Sequence, residues 1–449
     1  MLWFETVLLP AGWARGVRIT LDGGVIAGVE TGVAPAPGDE RHAIAVPGLC
    51  NVHSHAFQRG MAGLAETRGP ADDNFWTWRE IMYRFLDRLT PDDVEAIAAL
   101  AYVEMLESGF TRVGEFHYLH QDPSGTPYGD VAEMAQRIAA AAAETGIGLT
   151  LLPVFYAHGN FGGAPPVPGQ RRFLNDIDSF ARLIEASRTA IAGLPGANLG
   201  VAPHSLRAAT PEELSDVISL ADGGPVHIHA AEQMKEVEDC LAWSRARPVE
   251  WLLDHADVNR AWCLVHATHM TVAETARLAA SGAVPGLCPI TEANLGDGVF
   301  PAETWLRANT RFGIGTDSNV RISAGEELRA LEYAQRLARR ARNLWPRNPG
   351  ESAGRALFDG ALAGGAQALA QSPEGLCVGA SGDLVSFDSN CPALASRTGD
   401  AILDSWIFAG AVVDCVWRQG RKLVIAGRHV GREAVAVRHR GVLERLLLQ

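Results

Sequence analysis

Residues 90–116 read TPDDVEAIAALAYVEMLESGFTRVGEF, and this stretch sets the architecture. Thr90 is an N-cap, Pro91 takes the first helical position, and Asp92 and Asp93 sit at the positive end of the helix dipole. Val94, Ile97, Ala98, Ala101 and Met105 then recur at helical spacing, and Gly109 is a natural stop. The apolar run Thr111–Phe116 follows, short and without polar alternation, as expected for a strand buried on both faces.

The same helix-then-strand unit recurs on either side. Asp130 and Gly146 bracket a helix that feeds LTLLPVFY. Thr210-Pro-Glu-Glu213 and Thr271-Val-Ala-Glu274 both have the capping-box pattern, with PVHIHA and AVPGLCP downstream. With GLCNVHSH, TRVGEF, NLGVAPH, WCLVHA and RFGIGTD, eight apolar strands separated by helices are expected over residues 48–370. That pattern predicts an α/β fold, a (β/α)8 TIM-type barrel. The absence of GxGxxG after the first strand argues against a dinucleotide-binding sheet.

Both ends have a different texture. VLLP, VRITL and VIAGV, broken by Gly23-Gly24 and Pro35-Ala-Pro-Gly38, resemble GDLVSFD and AGAVVDCVWRQGRKLVIAGRHV after residue 375. A small β-sandwich-like domain built from both termini (1–46 plus 375–449) is therefore expected to flank a barrel at 47–374.

Composition bounds the partners. A net charge of −13 disfavours a nucleic-acid or anionic-membrane binder, because phosphate binding needs clustered positive charge. Arg336, Arg339, Arg340 and Arg342, on a helix opening near Ala324, read as a solvated face. The amino end has no basic region followed by an apolar run, and no stretch approaches the ~20 apolar residues of a membrane span. Seven scattered cysteines without a CxxC pair fit reduced thiols in a cytoplasmic protein.

Barrel chemistry sits where strands end. The first strand ends His53-Ser-His55, which brings two imidazoles to one face, although a plain histidine pair would read the same way. The fifth ends His227-Ile-His229-Ala-Ala-Glu232, the sixth at His266 and the eighth at Asp317. Singly, each is a satisfied core histidine or a helix-start acid. Jointly they form a set of imidazoles and a carboxylate suited to zinc or ferrous iron.

Taken together, these residues resemble the metal-dependent deaminases of the amidohydrolase superfamily along essentially the whole chain. The resemblance implies one divalent metal, Zn2+ first and Fe2+ or Mn2+ as alternatives, on His53, His55, His229 and Asp317. Binuclear relatives bridge two metals with a carboxylated lysine, but the only lysines are Lys235, beyond Glu232, and Lys422, in the terminal region. Asn51-Val-His-Ser-His-Ala-Phe-Gln-Arg59 and Gly114-Glu-Phe-His-Tyr-Leu-His120 are similar, more narrowly, to the N-formimino-L-glutamate deiminases of histidine degradation.

That family hydrolyses an amidine carrying two carboxylates, releasing ammonia and N-formyl-L-glutamate. Asp317 would act as general base, His266 would orient the water and stabilise the adduct, and Glu232 would carry a proton to the departing nitrogen. The resemblance points to Arg207 and Tyr118 for carboxylate binding and to Gln58 and His204 near the formimino group. Arg79, within Phe75-Trp-Thr-Trp-Arg-Glu80, reads either as an exposed loop cation clamped by tryptophans or as a substrate ligand, even across a dimer interface. A homodimer is implied.

His117, His120, His158 and His269 exceed what one metal needs and are expected to be structural; Cys50 and Cys288 are expected in the core. Two alternatives stand. One is a mononuclear deaminase or chlorohydrolase acting on an aminated heterocycle of the guanine, cytosine or S-adenosylhomocysteine type. The other is an inactive barrel serving as an assembly module.

Overall fold

The computed structural model describes residues 1–69, 73–308, 311–372 and 375–447. The helix read from residues 90–109 spans Pro91–Glu107: the Thr90 hydroxyl accepts from the Asp93 amide, and the Asp93 carboxylate accepts the Thr90 amide at 2.8 Å. Gly109, at φ +101°, turns the chain into the strand Phe110–His117, which is buried along its whole length.

Eight parallel barrel strands follow the expected runs. They are Leu49–Ser54, Phe110–His117, Gly148–Phe155, the pair Asn198–Leu199 and Ala202–Pro203, Val226–Ala230, Trp262–His266, Val284–Leu287 and Gly313–Ile314. They pair in the order fifth, sixth, seventh, eighth, first, second, third, fourth, and a parallel bridge from Val201 to Val226 closes the ring. The fourth strand is split at Gly200–Val201, where Gly200 lies hard against its neighbour. A Cβ at Gly200 would come within 2.4 Å of the Pro225 carbonyl oxygen. Away from the strand ends that carry the polar side chains, Leu369 and Ala368 pack with Cys50, Val52, Cys263 and Val284.

The two termini share one eight-stranded sheet. Leu2–Leu9, Gly12–Asp22, Val25–Glu30 and Glu40–Pro47 come from the amino end; Leu384–Phe387, Val413–Arg418, Arg421–Ile425 and Arg428–His429 come from the carboxyl end. Leu384–Phe387 runs antiparallel to Glu40–Pro47, and Phe4, Val17, Ile19, Ile26, Leu384 and Trp417 fill the core. Of the expected domain boundary at 374/375, residue 374 lies outside the described residues.

Three helices depart from the sequence reading. Phe75–Leu86 is a helix capped by Asn74, where a loop was one of the two expectations for Arg79. Ala401–Ala409 and Arg432–Leu447 interrupt and end the carboxyl-terminal strands. The last helix has almost no apolar stripe to read, because only Val435 and Leu446 are buried. Val435 and Leu446 join the main core with Val442 packed against it, and ion pairs to the helix Pro91–Glu107 stand beside them, including Arg432 to Glu107 at 3.0 Å and Arg445 to Asp93. Among the described residues, no helix is long and apolar enough to cross a membrane.

Candidate metal centre and active-site pocket

Several strand ends that form the site are strained. Ala231, His266, Ala267, Asp317 and Asn319 all have positive φ, between 44° and 66°, without being glycine. Each such residue costs on the order of 1 kcal/mol or more and persists only where its surroundings over-determine it. Those surroundings include a buried polar clasp joining the first and eighth strands. The Asn51 amide donates to Thr316 Oγ1 at 2.7 Å and accepts the Thr316 amide; Asn319 donates to Ser54 Oγ and to the His55 and Asp317 carbonyls, each at 3.1 Å. His55 and Asp317 are thereby fixed relative to each other.

The first strand is irregular between Asn51 and Ser54, yet His53 and His55 still face one point, with Nε2 atoms 3.1 Å apart. His229 Nε2 lies 3.1 Å from His53 Nε2. Asp317 Oδ1 is 3.4 Å from His53 Nε2 and 3.3 Å from His55 Nε2. Ligand atoms ~2.0–2.1 Å from a tetrahedral zinc stand roughly 3.4 Å apart, so the spacing suits one such ion.

The protonation pattern makes the same demand. His55 Nδ1 donates to the Phe116 carbonyl at 2.9 Å and His229 Nδ1 to the His204 carbonyl at 3.0 Å. Each neutral ring therefore turns a bare Nε2 lone pair inward. Burial, with repulsion from the neighbouring imidazoles, holds His53 and His229 well below the usual histidine range and His55 at about 3, so none brings a proton to relieve the crowding. Lone pairs facing one another and a carboxylate oxygen fit a cation between them.

His266 and Glu232 stand beside this cluster. His266 Nε2 lies 3.7 Å from Glu232 Oε1 and 3.8 Å from Asp317 Oδ2, and its ring stacks on His229 at 13°. Burial works to lower the His266 pKa, but the Glu232, Glu292 and Asp317 carboxylates outweigh it and hold it at about 10. Burial pushes Glu232 up to about 7 against the pull of His266 and Arg207. A carboxyl that exchanges its proton near neutrality is suited to proton transfer.

The pocket above these groups is lined by His55, Tyr118, His204, His229, Glu232, His266 and Asp317 and by the inner face of the helix Phe75–Leu86. The candidate binding residues converge there. Gln58 Nε2 donates to Tyr118 Oη at 2.8 Å, while Gln58 Oε1 is buried without a partner. His204 packs edge-on against Tyr156, with ring centroids 4.6 Å apart.

Arg207 and Arg79 both line the pocket, and neither has a hydrogen bond or ion pair among the described residues; each Nε is buried without a partner. Arg79 is a helical residue stacked 4.5 Å over Trp76 and 5.5 Å over Tyr83, which displaces the exposed-loop expectation. Its own chain places it in this pocket.

The histidines set aside in the sequence reading stand elsewhere. His120 donates to the Val154 carbonyl, His158 meets Glu213 at 2.9 Å, His269 donates to the Asp297 carbonyl, and His117 is buried beside His120. Cys50 and Cys288 are buried. Lys235 pairs with Asp239, and Lys422 with Glu40.

Sequence reading missed the clasp residues Asn51, Thr316 and Asn319, the lining residues Tyr83, Tyr156 and Phe173, and Glu292, which is 3.3 Å from His266 Nδ1. The run of polar residues Thr316–Asn319 after an apolar strand was the one available signal for the clasp.

Residues 44–423 match the model of the amidohydrolase family, and residues 3–43 match "Formimidoylglutamate deiminase HutF, N-terminal domain". The chain is 51% identical to the formimidoylglutamate deiminase of Pseudomonas aeruginosa, over 99% of both chains. It is 28% identical to the 5-methylthioadenosine/S-adenosylhomocysteine deaminase of Natronomonas pharaonis, over 86% of this chain and 84% of the relative. A crystal structure of an amidohydrolase from Brucella melitensis superposes with a TM-score of 0.97 at 58% identity, covering 99% of both chains. Barrel, terminal sheet and sequence therefore agree, and the chain belongs to the amidohydrolase family, on its formimidoylglutamate deiminase branch.

Proposed function

We propose that the protein hydrolyses N-formimino-L-glutamate to N-formyl-L-glutamate and ammonia, a step of histidine breakdown, in the cytoplasm and as a homodimer. The observation that carries this reading is the pair of guanidiniums, Arg207 and Arg79, without a hydrogen-bond or ion-pair partner among the described residues, in the same pocket as Glu232 and the converging imidazoles. Two fixed cations suit a substrate with two carboxylates, since a guanidinium grips a carboxylate through two parallel hydrogen bonds. In this reading the barrel at 47–374 carries the chemistry, and the terminal unit, 1–46 plus 375–449, braces it.

His53, His55 and His229 through Nε2, and Asp317 through Oδ1, would hold one divalent cation, for which zinc best matches three imidazoles and a carboxylate. When bound, such an ion supplies Lewis acidity, lowering the pKa of water toward neutrality. The remaining work belongs to the chain. Asp317 takes a proton from the attacking water. His266 Nε2–H stabilises the charge that develops as the water oxygen bonds to the formimino carbon. Glu232 Oε1, 3.7 Å from His266, delivers a proton to the terminal nitrogen as the C=N double bond opens. The proton held by Asp317 then passes to the same nitrogen and the hydroxyl proton returns to Glu232, so the C–N bond breaks as C=O forms and ammonia leaves rather than an amide ion. Gln58 and His204 contact the formimino group, and Tyr118 supports the carboxylate side. The surrounding aromatic rings exclude bulk water.

Product analysis tests the reading: zinc-loaded protein is given N-formimino-L-glutamate, and ammonia, N-formylglutamate, formamide and glutamate are scored together. Equal ammonia and N-formylglutamate are expected. Formamide with glutamate would overturn the role of Glu232. Absence of turnover with one metal per chain would overturn the substrate and favour an aminated heterocycle, for which the rings of Phe75, Trp78 and Tyr83 in the pocket wall would form the binding surface.

A further inference from the structure

His266 is held from behind by a residue that neither the reaction scheme nor any motif in the sequence reading uses. Its Nε2 faces the reaction side, toward Glu232 and Asp317, while its Nδ1 lies 3.3 Å from Glu292 Oε1. Glu292 is buried on the short helix Pro289–Leu295 that follows the seventh strand. The same Oε1 accepts the Cys288 amide at 2.9 Å, and the Glu292 amide returns to the Cys288 carbonyl at 2.9 Å. This closed ring sets the carboxylate before any substrate arrives. His266, in turn, has a backbone φ of +66°, followed by Ala267 at +51°, so local backbone preference does not hold the ring where it is.

We propose that Glu292 is the positioning residue of the deiminase reaction: by accepting from Nδ1, it fixes His266 in the one ring orientation that presents Nε2 to the reacting carbon. This rests on the function proposed above. A half-turn about Cβ–Cγ exchanges Nδ1 with Cδ2 and Nε2 with Cε1. In the exchanged state a carbon faces Glu292, and a C–H, a far weaker donor, faces the developing charge. The carboxylate of Glu292 discriminates between the two states because only a nitrogen donates a charge-assisted hydrogen bond to it. Acceptors behind metal-bound imidazoles typically matter by roughly 10–100-fold, and an effect of that order is expected for an imidazole beside the metal ligands. The effect belongs in kcat, because the carboxylate-binding arginines stand on other elements and Glu292 does not line the pocket.

The experiment compares wild type with Glu292→Gln as full-length, zinc-loaded protein. Glutamine retains an oxygen for the Cys288 amide but loses the charge. A fall in kcat of roughly 10–100-fold, with KM within about threefold, one metal per chain and an unchanged unfolding midpoint, is expected. A kcat within threefold of wild type would overturn the proposal, as would a loss that tracks metal content or unfolding.

Nitrogen-15 histidine NMR on the zinc-loaded wild type provides a readout independent of turnover and of the variant's folding. It should show a downfield Nδ1-bound proton, assigned by its absence in His266→Gln. A bare Nδ1 at His266 would refute the proposal. A wild type that shows the downfield proton but does not hydrolyse N-formimino-L-glutamate would leave the His266–Glu292 contact standing and overturn the substrate reading.

Discussion

His227 and His229 are two residues apart on one strand, are both buried, and are both held below the ordinary histidine pKa by burial, His227 at about 4. They do different things. His227 donates Nε2–H to the Ala368 carbonyl at 2.8 Å and leaves its Nδ1 buried without a partner, so its spare lone pair meets no other ligand atom. His229 spends its Nδ1–H on the His204 carbonyl and turns Nε2 to within 3.1 Å of His53 Nε2. Burial and a depressed pKa therefore do not mark a ligand. What marks one is a lone pair left over after the hydrogen bonds are assigned, aimed at other lone pairs.

The strongest test of that distinction is a pair of alanine variants. His229→Ala should lose the bound metal and all measurable turnover, whereas His227→Ala should keep one metal per chain. The cost of His227→Ala should appear in unfolding, about 1–3 kcal/mol for a buried carbonyl left without its donor. Metal analysis and urea titration read both. Loss of metal in His227→Ala would collapse the comparison.

Next in size is Glu232→Gln, which separates holding the metal from moving the proton. Turnover should fall at least ~100-fold, the lower range for a general acid–base, with metal content unchanged. Normal turnover would remove Glu232 from the scheme. A smaller effect is expected on the carboxylate side. Arg207→Met should raise KM for N-formimino-L-glutamate by roughly 30-fold or more, about 2 kcal/mol for a charge-assisted pair, with kcat changed far less. An equal effect on both constants would place Arg207 at the reacting carbon.

The most modest effect concerns Glu115, buried under the first strand with Oε1 accepting the Ala56 amide at 2.7 Å. Burial pushes its pKa up to about 8, with the Ala56 amide and the Ser54 and Tyr102 hydroxyls pulling the other way. The folded state thus binds the proton more tightly than the unfolded chain. Glu115 should help fully below its unfolded value, near 4.5, and that contribution should fade as pH rises through about 8. Glu115→Gln should flatten the decline of unfolding free energy between those limits, where the wild-type slope has a ceiling of about 1.4 kcal/mol per pH unit. Identical slopes would show that Glu115 is ionised in the folded protein.

Much of this molecule follows from local chemistry. The N-cap hydroxyls of Thr90, Thr210 and Thr271 each accept the amide three residues on, because a serine or threonine there answers an orphan donor wherever the helix sits. Eight apolar runs between such helices define a barrel, because parallel strands buried on both faces need helices to cover them. Strand ends bearing His53, His55, His229, His266 and Asp317 were visible for the same reason.

Only the tertiary structure decided what lies between segments. The last helix forms ion pairs from Arg432 and Arg445 to Glu107 and Asp93, more than 300 residues away, and no local pattern names those partners. The Asn51–Thr316–Asn319 clasp joins the first strand to the eighth, and Glu292 meets His266 across two strand ends. Side-chain hydrogen bonds of this kind depend on which atoms face each other after folding. Residue order fixes local capping and periodicity; the convergence of lone pairs, and of two guanidiniums, exists only once the barrel has closed.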